Sequence, residues 1–289
     1  MSPKPQTAFD VLSVDGTAPD APALLTKSLR ETGFAVLKNH SVPAERIKAM
    51  YQSWQAFFAS EGKFDYQFEE ASQTGFFPFR TENAKGVAQK DLKEFFHVYP
   101  HAKLPSDLEE ITRTVYADLV SLGDTVLGWI EAHLPEEIKG ALTEPLPAMV
   151  RGSDMNLLRV LHYPPLAEEG IEPGAVRAAA HEDINLITLL VSASAPGLEA
   201  RSADGQWHKV PCDDGAITIN VGDMLQMATG GYLPSTTHRV VNPEQSANES
   251  RYSMPMFIHP RPEARLDAST TAHIYLEERL REIGLKPAE

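Results

Sequence analysis

RAAAHEDINLITLLVSASAPGLE, residues 177–199, is the stretch on which the reading of the whole chain turns. Its apolar run from Ile184 to Val191 is interrupted only by Asn185 and Thr188. That length and β-branched content predict a buried strand. Three polar residues, His181, Glu182 and Asp183, stand at its mouth. On one continuous strand, His181 and Asp183 would point to the same side and Glu182 to the other. An unpaired carboxylate beside a buried strand is costly, and a bound cation would remove much of that cost. His181 is the only one of the ten histidines with a carboxylate two positions later.

Outward from this stretch, residues 150–262 break into short β-type runs separated by Gly, Pro, Asp and Asn. They are MNLLRVLHYP, INLITLLVS, GLEARS, QWHKVP, AITINVG, MLQMAT, HRVVNP and RYSMPMFIHP. Many short strands at close spacing predict a sandwich or barrel. The region before it reads differently. Residues 21–33 predict a helix stopped by Gly33, and FAVLKNH and LKEFFHVY predict strands. Ile47, Met50, Tyr51, Trp54, Phe57 and Phe58 mark one apolar helical face, with Pro43 in the first turn. Ser106–His133 predicts a helix roughly 40 Å long, opened by a capping box of Ser106 and Glu109. The tail returns to helix over 268–286. The expectation is a mainly β chain with flanking helices, and one domain over 1–289. Its parts are a helical or mixed N-terminal part (8–135), a β-rich core (150–262) and a C-terminal helix (268–286).

Composition narrows the function. The net charge of −14 argues against a general nucleic-acid binder, which needs a basic face for phosphates. No window approaches the run of apolar residues that a membrane span needs, and the N-terminus lacks the apolar core of a secretory signal. A single cysteine, Cys212, allows no disulfide framework and suits a reducing compartment. The charge says little about a small substrate, and the expectation from composition is a soluble cytoplasmic protein with its oligomeric state open.

Two histidines and one carboxylate on one face of a metal, with open positions opposite, is an arrangement suited to non-haem Fe(II). His238, in STTHRVVNP, is the candidate third ligand. In RYSMPMF, Arg251 and Ser253 share one strand face and make a grip for a carboxylate. Together with RETGFAVLKNHSVP, LRVLHYPP and GLEARSADGQWHKVPCDDGAITINVGDMLQ in this order, these strings resemble the Fe(II)- and 2-oxoglutarate-dependent oxygenases of the isopenicillin N synthase-like family. The resemblance covers about residues 8–260. It implies a double-stranded β-helix, or jelly roll, with Fe(II) held by His181, Asp183 and His238. It also implies that Arg251, Ser253 and Tyr163 bind the far carboxylate of 2-oxoglutarate. Leu161 departs from the family pattern, which often has Asn there. Phe95, His97, Arg159, Phe257 and His259 match positions that line the substrate cavity in some members. Arg159 suits either a substrate carboxylate or a structural ion pair.

The activity implied is oxidation of an unactivated C–H bond of a small molecule by O2, by hydroxylation or desaturation, with release of succinate and CO2. Three alternatives stand beside it: an Fe(II) oxidase of the isopenicillin N synthase-like or ethylene-forming type that does not use 2-oxoglutarate, a non-catalytic small-molecule binder, and a zinc hydrolase. Zinc competes well for nitrogen and oxygen ligands, but a hydrolase wants a general base near its bound water, and Glu182 should face away.

Overall fold

The computed structural model describes residues 9–82, 89–166, 175–192, 194–242 and 248–282. Two sheets organise them. The strands are β1 (Ser13–Asp15), β2 (Phe34–Lys38), β3 (Gly75–Phe77), β4 (Glu94–Val98), β5 (Leu157–Tyr163) and β6 (Ala178–His181), then β7 (Ile187–Val191), β8 (Leu198–Arg201), β9 (Trp207–Lys209), β10 (Ile217–Val221), β11 (His238–Val240) and β12 (Arg251–Ile258). The larger sheet runs β1-β2-β10-β7-β12-β5-β4-β3, and the smaller runs β6-β11-β8-β9. Among these named strands, the β1–β2 pairing is parallel and the others are antiparallel. The helices are α1 (Ala21–Thr32), α2 (Ala44–Ala59), α3 (Ser106–Ala132), α4 (Glu136–Ala141), α5 (Leu146–Val150), α6 (Asp223–Ala228) and α7 (Ala272–Glu282).

The period-two alternation of a strand divides the larger sheet into two unlike faces. One carries Ala35, Leu37, Phe96, Val98, Leu158, Val160, Leu189, Val191, Ile217, Ile219, Met254 and Met256, all buried in the main core with apolar side chains of α1, α2 and α3. The opposite face looks toward the smaller sheet. There the apolar packing splits into two patches: Phe34, Val36, Ala200, Val210 and Ala216 in one, and Phe95, Leu161 and Tyr163 in the other. Between the patches, the same face carries Thr188, Asn220, Arg251 and Ser253, and Arg159 and His97 stand on it beside the second patch, on β5 and β4. An interior that interrupts its own apolar packing with buried polar groups marks the place to look for chemistry.

Several expectations hold closely. Helix α1 ends at Gly33, whose φ of 76° is the left-handed conformation of a C-cap. The long helix and the strands expected at FAVLKNH and LKEFFHVY are present. Others change. More of the described residues lie in helices than in strands, so the chain is mixed rather than mainly β. The capping box does not form, because Pro105 is already the N-cap and Ser106 sits inside the first turn; Leu108 N–H donates to the Pro105 carbonyl at 3.0 Å. Pro43 likewise caps α2 instead of joining its first turn. MLQMAT is helix α6, not a strand. Gly222 caps it, its residues are good helix formers, and Met224, Leu225 and Ala228 bury one helical stripe. The tail helix starts at Ala272, after a turn in which the Asp267 side chain accepts from the backbone of Ser269 and Thr270. Its expected end at 286 lies outside the described residues. No helix among the described residues is long and apolar enough to cross a membrane.

Candidate functional site

The opening stretch is not one strand. His181 ends β6 in the smaller sheet, Ile187 begins β7 in the larger, and residues 182–186 cross between them. The crossing is held at Asp183, Asn185 and Leu186. Asp223 N–H donates to the Asp183 carbonyl, Gly222 N–H to Leu186, and Leu186 N–H to Ile258. The Asn185 carboxamide donates to the Ile187 carbonyl and the Thr188 hydroxyl. A Cβ on Gly222 would stand 2.3 Å from the Asn185 carbonyl oxygen, so the crossing needs glycine there. Alternation along one strand is therefore the wrong reason for the meeting of His181 and Asp183, although they do meet.

His238 opens β11 directly opposite His181, and the two rings lie 4.4 Å apart between centres. Each Nδ1 faces a backbone carbonyl two residues back: His181 to Ala179 at 2.8 Å and His238 to Thr236 at 3.1 Å. A carbonyl only accepts, so each Nδ1 carries the proton and each Nε2 presents a lone pair. Those Nε2 atoms lie 3.7 and 3.8 Å from Asp183 Oδ1. The other carboxylate oxygen, Oδ2, accepts from the Thr188 hydroxyl at 2.6 Å and the Asn220 amide at 2.8 Å. One oxygen is thus anchored and the other offered to the histidines.

Electrostatics agrees with this geometry. Burial, then the nearby His238 ring, pushes His181 down to about 4, against the pull of Asp183. Burial would raise Asp183, but the two histidines and the Asn220 and Thr188 hydrogen bonds outweigh it and hold the carboxyl below its ordinary value. At neutral pH His181 is a neutral imidazole and Asp183 a carboxylate, the forms that bind metal. The donor atoms of His181, Asp183 and His238 lie within 4.8 Å of one another, and this is the metal-capable His, Asp and Glu cluster found among the described residues. Two nitrogens and one oxygen on one side suit Fe(II). Glu182 turns outward and accepts from the Thr237 hydroxyl, so it offers no general base.

Arg251 opens β12 opposite Tyr163 of β5, and Ser253 stands opposite Leu161. The Arg251 guanidinium is buried, 5.0 Å from the centre of the Tyr163 ring. It donates from Nε to the Ala195 carbonyl and, at 3.4 Å, from Nη1 to the Ser253 hydroxyl. No carboxylate among the described residues forms an ion pair with it. It lines a narrow cavity with Leu190 and Thr218, whose rim carries the exposed Cys212. Leu161 is packed with Phe95 and Tyr163 and contributes no polar contact.

The five cavity residues expected from the sequence lie on or next to this face. Arg159 spans Phe95 and Phe257, its guanidinium 4.6 and 5.7 Å from their ring centres. It donates from Nε to His97 Nε2 at 2.9 Å and grips Glu82 through both Nη atoms at 3.2 and 3.3 Å. Arg159 is therefore part of an ion pair in this structure. Burial, then Arg159, keeps His97 well below the ordinary histidine value, and burial takes His259 to about 4. Sequence reasoning missed the rest of this wall. Lys93 bridges Glu82 and Asp91, both at 2.8 Å, and Asp91 accepts the backbone N–H of Ala179 beside His181. It also missed the anchoring role of Thr188 and Asn220. The available signal was polar residues inside apolar strands, INLITLLV and AITINV.

Residues 155–260 match the 2OG-Fe(II) oxygenase superfamily, and residues 9–115 match the N-terminal region described as non-haem dioxygenase in morphine synthesis. A solved protein from Shewanella oneidensis, assigned as an oxygenase, is 46% identical with a TM-score of 0.87; the match covers 96% of this chain and all of that one, 100%. A protein from Caulobacter crescentus, assigned to the 2OG-Fe(II) oxygenase family, is 32% identical with a TM-score of 0.78, covering 96% and 100%. The clavatol oxidase of Penicillium crustosum is 26% identical over 265 residues, 79% of this chain and 76% of the relative.

Proposed function

The chain belongs to the 2OG-Fe(II) oxygenase family and is a 2-oxoglutarate-dependent dioxygenase, and from that premise we propose how its own residues divide the work. His181 and His238 would hold Fe(II) through Nε2, and Asp183 through Oδ1. The observation that carries this reading is the convergence of those three atoms, each with its other polar atom already tied to the protein. Arg251 and Ser253, with Tyr163, would bind the far carboxylate of 2-oxoglutarate. Bound there, Fe(II) would activate O2, the oxidant, which takes two electrons from 2-oxoglutarate, released as succinate and CO2, and two from a C–H bond of the substrate.

The protein's part is binding, orientation and dryness. Thr188 and Asn220 fix the rotation of the Asp183 carboxylate so that one oxygen faces inward. The two backbone carbonyls fix both imidazole tautomers. Phe95, Phe257 and the stem of Arg159 give the small-molecule substrate an apolar wall, with His97 and His259 as neutral polar points on it. A buried guanidinium with no carboxylate partner among the described residues suits a bound carboxylate; the far carboxylate of 2-oxoglutarate fits it, and an oxidase would place a substrate carboxylate there instead. We read the two sheets as the halves of a double-stranded β-helix within one domain, and the lone cysteine favours the cytoplasm.

The test is stoichiometric. Purified protein with Fe(II), 2-oxoglutarate and O2 is screened against amino acids and other small metabolites. The expected result is succinate formed one-for-one with oxidised product, lost in Asp183→Ala. Product without succinate would assign the oxidase reading instead.

A further inference from the structure

A second buried arginine sits beside the proposed cosubstrate site, and its role rests on that reading of Arg251, Ser253 and Tyr163. Arg177, immediately before β6, is 1% exposed and is, with Arg251, among the largest fully buried side chains of the molecule. Its guanidinium lies 5.9 Å from the centre of the Tyr163 ring, the ring that Arg251 also approaches. Nη2 donates to the Glu249 carbonyl at 2.7 Å, and the buried Nε has no hydrogen-bond partner.

The fold treats its other enclosed cations differently. Lys93 has Asp91 and Glu82, Arg159 has Glu82, and Lys63 has Glu94. Neither Arg177 nor Arg251 has a carboxylate among the described residues. Two buried like charges with no carboxylate partner among the described residues are strongly unfavourable on their own. Burial and the neighbouring Arg251 accordingly lower Arg177 to about 10. An arrangement this costly is kept when something anionic binds it, and a carboxylate shared by two guanidiniums is a favourable form of that pairing. Strand β5 offers no donor opposite Ser253, because Leu161 stands there. A further donor has to come from another element.

We propose that Arg177 is a second cationic contact for the far carboxylate of 2-oxoglutarate, shared with Arg251 beside the Tyr163 ring. The test uses Mn(II)-loaded protein and two ligands with the same chelating head, 2-oxoglutarate and 2-oxovalerate; the second lacks the far carboxylate. Calorimetric titration gives the preference between them. Arg177→Met is expected to narrow that preference by about ten-fold or more, the size of one charge-assisted hydrogen bond. It is also expected to leave the ligand-free protein melting at the same temperature or higher, because it removes an uncompensated charge. Equal weakening of both ligands, or an unchanged preference, overturns the proposal. Should Arg177→Met not fold, Arg177→Lys carries the same test. Its unforked cation is expected to narrow the preference about three-fold or more, and an unchanged preference again overturns it. Arg251→Met separates the two levels. If that variant keeps the wild-type preference, the cosubstrate site itself is misplaced; if only the Arg177 variants keep it, the site stands and Arg177 has no part in it.

Discussion

At the scale of single residues, the site depends on groups that hold other groups. Thr188 anchors one oxygen of Asp183 and also accepts from Asn185. Thr188→Val keeps the shape and removes both bonds. Loss of such a supporting contact typically costs a metal site about 10- to 100-fold in affinity. Mn(II) titration should show a loss of that order with little change in metal-free melting, since the Asn185 amide keeps the Ile187 carbonyl; unchanged Mn(II) affinity would remove Thr188 from the site. His259 gives a pH expectation. Its ordinary value of 6.5 falls to about 4 in the fold. Between those values the unfolded chain binds a proton that the folded chain refuses, so stability is full above pH about 6.5 and is lost as pH drops toward 4. His97, also depressed, acts in the same direction. Urea denaturation of metal-free protein from pH 7 to 4.5 should show this decline, and His259→Gln should make it shallower by up to about 1.4 kcal/mol per pH unit. An identical slope in the variant would mean that His259 is exposed to water. The sequence yields the proposed site residues, because His-x-Asp, a distal His and Arg-x-Ser, each weak alone, stand in the order of a family the whole chain resembles. It does not yield Thr188, Asn220, Lys93 or Arg177, whose importance comes from partners distant along the chain.

At the scale of elements, the informative error is the stretch that began the reading. HEDINLITLLV has the composition of one strand, and nothing local says that it changes sheets after His181. What bends it is remote: Asp223, Gly222 and Ile258 take its backbone groups, and Gly222 leaves room for Asn185. MLQMAT fails for a related reason, since six residues are too few to tell a helical period from an alternation. The elements read correctly, α1, α2, α3 and most strands, are those whose own periodicity and breakers suffice. Gly222→Ala tests the crossing directly. The added Cβ would fall 2.1 Å from Asn185 Oδ1 and 2.3 Å from the Asn185 backbone oxygen. Backbone cannot yield as a flexible side chain does, so residues 183–186 must shift. Overpacking of this kind costs about 1–3 kcal/mol. The variant should melt at lower temperature and also bind Mn(II) more weakly, because the segment that moves carries Asp183. A loss of stability with full Mn(II) affinity would show that the crossing can move without moving the carboxylate.

At the scale of the whole molecule, the proposed ligands are divided between the two sheets. His181 and His238 stand on the smaller sheet, Arg251 and Ser253 on the larger, and Asp183 in the crossing between them. A metal alone, on the proposed ligands, would tie the smaller sheet to the crossing. A metal with 2-oxoglutarate, held by the proposed residues of both sheets, would tie the two sheets together. The two ligands should therefore stabilise the fold more than the sum of each alone. A ligand at a hundred times its dissociation constant adds about 2.7 kcal/mol. Each kcal/mol raises the melting temperature of a chain of this size by roughly 2–4 °C. Scanning calorimetry with Mn(II) and 2-oxoglutarate together should then show a rise of about 5 °C or more, reversed by EDTA. 2-Oxoglutarate without metal should give much less, and Asp183→Asn should lose the combined shift. If the chain is one domain, the whole transition moves as a single peak; a second peak that ignores the ligands would place part of the chain outside the unit that holds the site. Equal shifts from 2-oxoglutarate with and without Mn(II) would mean that the acid binds away from the histidines, and the bridging role of the site would fall with that result.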